Sequence, residues 1–204
     1  MLIEQPPKIF RWLTCGGIFR IPPRGGERKV YLTFDDGPIP EVTPWVLDVL
    51  DRYGIKATFF MVGDNVRKHP GMMEEVKRRG HSVGNHTMHH LQGAKVTTRR
   101  YLRDIKEADA LIESGLFRPP HGWLRPRQAR ALGRRYRIVM FDLVTRDYSR
   151  RVDAEEVVAN VKRYTRPGSI IVFHDSLKSI GKLKTALPAA IEWLMGEGYE
   201  FERL

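Results

Sequence analysis

Short apolar runs alternate with longer amphipathic stretches along most of this chain. Residues 30–34 read Val-Tyr-Leu-Thr-Phe, a β-branched and aromatic run typical of a buried strand. Residues 57–62 form a second apolar run, and an almost unbroken run of this kind indicates a strand covered on both faces of a parallel sheet. Further strands are predicted at 81–83, from 116, and at 137–143, 169–173 and 199–204.

Helices are predicted between these strands, where apolar residues recur at helical spacing. The first is the best signalled, with Thr43 as N-cap, Pro44 as first helical residue and Gly54 as the C-terminal stop. The others are predicted at 65–69, 70–79, 97–114, 125–135, 153–164 and 185–196. This alternation predicts an α/β fold, either a distorted or incomplete (β/α) barrel of parallel strands or an open doubly wound sheet.

Polar residues with catalytic chemistry follow the ends of the predicted strands, where active sites lie in parallel barrels. They are Asp35, Asp36, His86, Arg118, Asp147 and His174. Two adjacent carboxylates at the end of a buried strand are costly unless a cation lies beside them. The chain must therefore supply a positive partner for Asp35 and Asp36.

One candidate partner is a metal ion bound by histidines. His86 and His90 have the spacing of one face of a helical turn, so both are predicted to reach one ion, while His89 points elsewhere. A carboxylate would complete a set that suits catalytic zinc or the facial triad of ferrous oxygenases. The neighbouring carboxylate could then act as general base toward a water molecule. The pattern does not decide which aspartate has which role.

Three further residues are candidates for the same site. Arg118 is either a surface arginine before a proline-rich turn or a fixed guanidinium that pairs with a carboxylate. Asp147 could simply pair with a neighbouring arginine on the surface. His174 directly follows the apolar run 169–173. At this strand end it is well placed to donate a proton to a leaving group.

Composition adds a constraint on partners and compartment. The 204 residues include 35 Lys and Arg against 24 Asp and Glu, a net charge of +11 that favours anionic partners or simply a basic solvated surface. Cys15 is the single cysteine, so no intramolecular disulfide can form. No apolar run has transmembrane length, and no signal-peptide pattern is present. The chain is therefore expected in the cytoplasm unless an export signal was removed.

Five motifs occur in an order that resembles the polysaccharide deacetylases, the NodB-homology group of carbohydrate esterase family four. They are Thr-Phe-Asp-Asp-Gly-Pro at 33–38, His-Thr-Met-His-His at 86–90, Arg-Pro-Pro-His-Gly at 118–122, Asp-Tyr at 147–148 and Val-Phe-His at 172–174. The resemblance covers 29–204 as one catalytic domain, with residues 1–28 as a lead-in segment packed on it. It implies a distorted (β/α) barrel and a metal-dependent hydrolase that removes N- or O-acetyl groups from sugars.

Carried over by position, the resemblance also implies a role for each site residue. The metal ligands, usually of zinc, would be Asp36, His86 and His90. The catalytic groups would be the base Asp35, tuned by Arg118, and the acid His174, oriented by Asp147. The backbone N–H of His121 would help stabilise the oxyanion, and the substrate contacts are assigned to Pro120, Tyr148 and Val172. His121 and Tyr148 depart from the family's usual Tyr and Trp, so sugar contacts are expected to differ there.

The leading expectation is an N-deacetylase for a glycan that contains N-acetylglucosamine, such as peptidoglycan or chitin oligomers. One alternative keeps the machinery but acts on a small non-glycan amide. Another is a non-catalytic basic protein that binds an anionic polymer through its arginines. Nucleic acid is not expected, because the basic residues are not interleaved with aromatic ones and no recognition motif occurs. Peripheral attraction to anionic surfaces is expected from the charge alone.

Overall fold

The strands form one parallel sheet. A computed structural model describes residues 4–6 and 16–204, and Cys15 with much of the predicted lead-in lies outside the described residues. Within the described part there are eight strands: β1 (Lys29–Asp35), β2 (Thr58–Met61), β3 (Ser82–Asn85), β4 (Leu116–Phe117), β5 (Arg137–Ile138), β6 (Leu143–Val144), β7 (Ile170–His174) and β8 (Glu200–Phe201). All pairs between them are parallel.

The sheet curls into an incomplete barrel. Its order is β5-β4-β3-β2-β1-β7-β6, and β8 pairs with the first two residues of β1. The edge strands β5 and β6 are joined by residues 139–142 alone, which reach about 18 Å at most, so the two edges must approach each other. Ile18 forms an isolated β-bridge with Val139, and Arg20 forms one with Ser169. This part of the lead-in segment therefore lies against the barrel. Of the two predicted folds, the incomplete barrel is therefore confirmed, and the doubly wound sheet is not.

Helices cover the outer face of the sheet. In the described residues they are α1 (Thr43–Arg52), α2 (Gly63–Lys68), α3 (Pro70–Arg78), α4 (Thr98–Ile112), α5 (Pro126–Leu132), α6 (Ala154–Tyr164) and α7 (Ile180–Gly196). Thr97 and Asp153 cap α4 and α6 by accepting backbone N–H bonds from Arg100 and Glu156. None of the helices described is long and apolar enough to cross a bilayer.

Strand β1 divides its side chains between the two faces of the sheet. Val30, Leu32 and Phe34 pack into the large core between sheet and helices. Tyr31 belongs to a smaller cluster with residues of β2, β4 and β7. Because side chains alternate along a strand, Asp35 shares the inner face with Tyr31. The alternation thus points the first carboxylate into the barrel.

Two local predictions are wrong because the residues concerned form hydrogen bonds with residues far away in the sequence. The strand predicted at 137–143 is two short strands, because Met140 N–H donates to Ile18 O and Asp142 N–H to Ile170 O, which divides the segment between different neighbours. Thr43 is not the N-cap of α1, since its hydroxyl accepts from Ile39 N–H and donates to the Asp175 carboxylate instead. Gly54 does end α1 with a left-handed φ of 65°.

Candidate active site

Asp35 is held by a buried arginine. Arg118 Nη1 donates to Asp35 Oδ1 and to Thr33 Oγ1, each at 2.7 Å. The arginine is 1% exposed, its Nη2 donates to Met140 O at 3.0 Å, and its guanidinium lies 4.1 Å from the Phe60 ring centre. The surface interpretation of Arg118 is therefore wrong. The arginine supplies the cation that a buried carboxylate requires.

Asp36 turns away from its neighbour toward the histidines. Its φ is 83°, a left-handed value that a non-glycine residue adopts only when its surroundings hold it there. Asn65 Nδ2 donates to its carbonyl at 2.8 Å. Its Oδ1 lies 3.1 Å from His90 Nε2 and 3.9 Å from His86 Nε2. Burial would raise the pKa of Asp36, but the bond from His90 and nearby histidine charges hold it well below its usual range.

The histidine loop, residues 86–90, is not the helical turn that the spacing predicts. Thr87 and His90 have left-handed φ values of 66° and 52°, which no helical turn contains. The loop still brings the His86 and His90 ring centres to 5.1 Å. His86 Nδ1 lies 2.8 Å from Arg118 O and must donate there, so Nε2 faces Asp36. Burial lowers the pKa of His86 to about 4, which keeps the ring neutral.

Asp36, His86 and His90 fit a divalent cation. One ligand atom from each lies within 4.8 Å of the others, and among the residues described this is the group that meets that test. Ligands of one zinc ion lie about 2.0–2.2 Å from it, and therefore a few ångströms from each other. His86 already presents a neutral Nε2 with its other nitrogen anchored, as metal-binding histidines do. Asp35 is not part of this group.

His174, which lines the cavity, forms a second ionisable pair with Asp147. His174 ends β7 and is paired in register with Asp35 of β1. Asp147 is fully buried; its Oδ1 lies 2.8 Å from His174 Nδ1, and its Oδ2 accepts from His174 N–H at 2.7 Å. Burial would lower the pKa of His174, but Asp147 and then Asp36 raise it to about 9. Asp147 is therefore not the surface residue of the simpler interpretation.

Two walls complete the cavity. Tyr148 packs with Phe141, Val144 and Val172, and its ring centre lies 4.7 Å from that of His174. On the other side His121 has a left-handed φ of 59°, and its ring lies 4.9 Å from the His90 ring. The predicted site residues thus line one cavity, apart from Asp147, which lies behind His174, and Pro120. Pro120 is buried and its neighbour Pro119 lines the cavity.

Sequence reasoning missed several supporting residues. Asp175 accepts from Gly37 N–H at 3.1 Å and from the Thr43 hydroxyl at 2.6 Å, so it fixes the turn after Asp36. A carboxylate next to His174 at a strand end was a visible signal for it. Lys178 also lines the cavity from the loop after β7. Asp104 has no such signal, because it lies in the middle of a predicted helix.

The family model for polysaccharide deacetylase matches residues 23–138, more than half of the chain. The chain belongs to this family. It is 32% identical to a peptidoglycan-N-acetylglucosamine deacetylase of Bacillus cereus, over 86% of this chain and 85% of that protein. It is 33% identical to a chitooligosaccharide deacetylase of Rhizobium leguminosarum bv. trifolii, over 87% and 91%. Longer relatives exist, since the chain spans 39% of the deacetylase PgdA of Listeria monocytogenes.

The fold of this polysaccharide deacetylase has close counterparts among solved structures. The crystal structure of the Bc1960 peptidoglycan N-acetylglucosamine deacetylase superposes with a TM-score of 0.88 at 30% identity, covering 98% of this chain and 95% of that one. The incomplete barrel is therefore the fold of the family. The family is metal-dependent, and the Asp-His-His group is the candidate site for the ion among the residues described.

Proposed function

We propose that this chain is a hydrolase that removes the N-acetyl group from N-acetylglucosamine units of a glycan, with Zn²⁺ held by Asp36, His86 and His90. The observation that carries the proposal is the cavity itself. Three groups meet there: the candidate metal ligands, the Asp35 carboxylate paired with Arg118, and the His174 imidazole paired with Asp147. The names of the relatives point to the same chemistry on peptidoglycan and chito-oligosaccharides.

The ligand set favours zinc. Two imidazole nitrogens and one carboxylate oxygen are a common catalytic zinc set, and they leave room for water and substrate. A zinc ion there would polarise the acetyl carbonyl and lower the pKa of a water molecule. The protein's part is to hold Asp36 ionised and His86 neutral, so that neither of these two ligands has to lose a proton when the ion binds. The low pKa values of Asp36 and His86 meet that requirement.

Asp35 is assigned as the general base. Its Oδ1 is engaged by Arg118, while Oδ2 lies 4.0 Å from His86 Nε2, on the side of the metal group. Arg118 stabilises the ionised carboxylate, so Oδ2 can accept the proton of the attacking water. Water oxygen then bonds to the acetyl carbon. The backbone N–H of His121 is assigned to stabilise the negative charge that develops on the carbonyl oxygen.

His174 is assigned as the general acid. Its Nδ1 proton is held by Asp147, so the Nε2 proton is the one available for transfer. When the carbon–nitrogen bond breaks, His174 protonates the departing amine, and the products are acetate and the free amino sugar. The apolar wall of Tyr148, Phe141, Val144 and Val172 offers a surface for the acetyl methyl group.

Asp147→Asn is expected to move the alkaline limb of the activity–pH profile to lower pH by about 1–3 units. Asp147 raises the pKa of His174. Without its charge His174 loses its proton at lower pH, and activity that requires the protonated acid is lost there. The measurement is kcat against pH. Asp142→Asn is the control, because Asp142 is equally buried but pairs with Arg166 and Ser169; a limb that moves equally in both variants contradicts the assignment.

Acetate release is the direct test of the proposed function. The zinc-loaded chain should release acetate from acetylated chito-oligosaccharides or peptidoglycan fragments, lose that activity with a chelator, and regain it with Zn²⁺. Release from small amides but from neither glycan would favour the non-glycan alternative. Glycan binding with no acetate release from any substrate, with zinc bound, would overturn the proposal in favour of a binding protein.

Charge adds a preference among glycans. The chain carries a net charge of +11, and Lys178 lines the cavity. A glycan that bears carboxylates, as peptidoglycan does, is attracted to such a surface, and the attraction weakens with added salt. We therefore place carboxylate-bearing glycans ahead of neutral chitin oligomers as substrates.

A further inference from the structure

Asp104 lies outside the catalytic cavity but is bonded to the histidine loop. It is in the middle of α4 and only 6% exposed. Its Oδ2 accepts from the backbone N–H groups of Met88 and His89, at 2.9 and 3.1 Å. Its Oδ1 lies 2.6 Å from His89 Nδ1, which donates to it. One carboxylate thus satisfies three donors that lie between the two histidines of the metal group.

Backbone groups of α2 hold the loop as well, and Thr87 N–H donates to the Asn85 side chain. Gly63 N–H and Asp64 N–H, at the start of α2, donate to Thr87 O and Met88 O, each at 2.9 Å. Helix α2 therefore holds the carbonyls of Thr87 and Met88, and Asp104 on α4 holds the amides of Met88 and His89. The side chain of His89 is 49% exposed, and His89 does not belong to the metal group of Asp36, His86 and His90. Its ring serves as a further tie between the loop and α4.

The loop needs such ties because its conformation is strained. Thr87 and His90 both have left-handed φ values, which cost free energy for residues with a side chain. The second of them is itself in the metal-binding group. Without external bonds the backbone would relax toward ordinary values, and the His90 ring would move relative to His86. Buried N–H groups left without an acceptor would add to the cost.

We propose that Asp104 is a positioning residue of the metal site, which sets zinc affinity by holding the histidine loop without touching the ion. This inference rests on the proposed function, since it assumes that His86 and His90 bind the metal. It extends that proposal to α4, an element that contributes no group to the cavity.

The test is zinc affinity, measured by competition with a chromogenic chelator on the full chain. Asp104→Ala is expected to weaken zinc binding by about 10- to 100-fold, the range seen when partners that orient metal ligands are removed. Asp104→Asn should lose less, because its carbonyl oxygen can still accept one or two of the N–H bonds. This second variant keeps the test valid if Asp104→Ala does not fold.

Asp109→Ala is the matched control. Asp109 is on the same helix and equally buried, at 6% exposed, but its carboxylate pairs with Arg135 and not with the histidine loop. General damage to α4 should therefore affect both alanine variants, whereas zinc affinity should fall only for Asp104. Circular dichroism of each variant confirms that the compared chains are folded.

A second readout follows the loop directly. In Asp104→Asn, hydrogen exchange at the Met88 and His89 amides should be faster than in the wild type, and unchanged in Asp109→Ala. If Asp104 and Asp109 variants bind zinc equally well and exchange these amides at wild-type rates, the inference is wrong. That result leaves the proposed function standing. Failure of the wild-type chain to bind zinc would instead overturn the proposed function.

Discussion

Replacing Asp35 with asparagine is expected to lower kcat for acetate release by about 10²- to 10⁴-fold, the usual contribution of a general base. Asparagine keeps the size of the side chain and can still accept a bond from Arg118 through its carbonyl oxygen. It cannot accept the proton of the attacking water, however. The loss should therefore fall on kcat, with little change in KM, because substrate binding does not require that proton transfer.

The control for Asp35→Asn is a check that the variant remains folded. Arg118 keeps its bonds to Thr33 and to the carbonyl of Met140 in this variant, so the barrel interior should remain ordered. Thermal unfolding of the variant should be cooperative and show a folded chain at the assay temperature. A folded Asp35→Asn chain with wild-type kcat would show that another group takes the proton.

Arg118→Met is expected to lower the free energy of unfolding by about 3–5 kcal/mol, because it leaves the buried Asp35 carboxylate without its cation. Methionine fills most of the space and can pack against Phe60, so the loss is mainly electrostatic. The variant should also lose activity, since the guanidinium that positions the Asp35 carboxylate is gone. Urea denaturation and acetate release measure the two effects.

A double variant isolates the pair from general damage to the core. In Arg118→Met with Asp35→Asn neither partner is charged, so its loss of unfolding free energy should be smaller than the sum of the two single losses. Additive losses would mean that Arg118 stabilises the barrel through its carbonyl bonds and ring contact alone. The double variant should not recover activity, because it lacks the base Asp35.

The barrel was predictable because its signals are local. The apolar runs at 30–34 and 57–62 and the helix stop at Gly54 each depend on neighbouring residues, and each is present in the structure. The strand-end rule likewise predicted that Asp35 and His174, far apart in sequence, would meet; they are paired in register on adjacent strands.

The details that failed depend on residues far along the chain. Thr43 has the sequence signature of an N-cap, yet its hydroxyl bonds to Asp175, and no local pattern reveals that pairing. The spacing of His86 and His90 suits a helical turn, but α4 holds the loop in another shape through Asp104. The two histidines converge in both conformations. The approach of the two histidines could therefore be predicted, while the backbone conformation that produces it could not.

The division of labour between the adjacent aspartates is the central claim, and zinc content tests it most directly. Asp35→Asn and Asp36→Asn make the same chemical change at neighbouring residues, of which one pairs with Arg118 and the other faces His86 and His90. After loading with Zn²⁺ and removal of excess metal, metal analysis should find one ion per chain in Asp35→Asn and little in Asp36→Asn. Loss of zinc from Asp35→Asn with retention in Asp36→Asn would contradict the account.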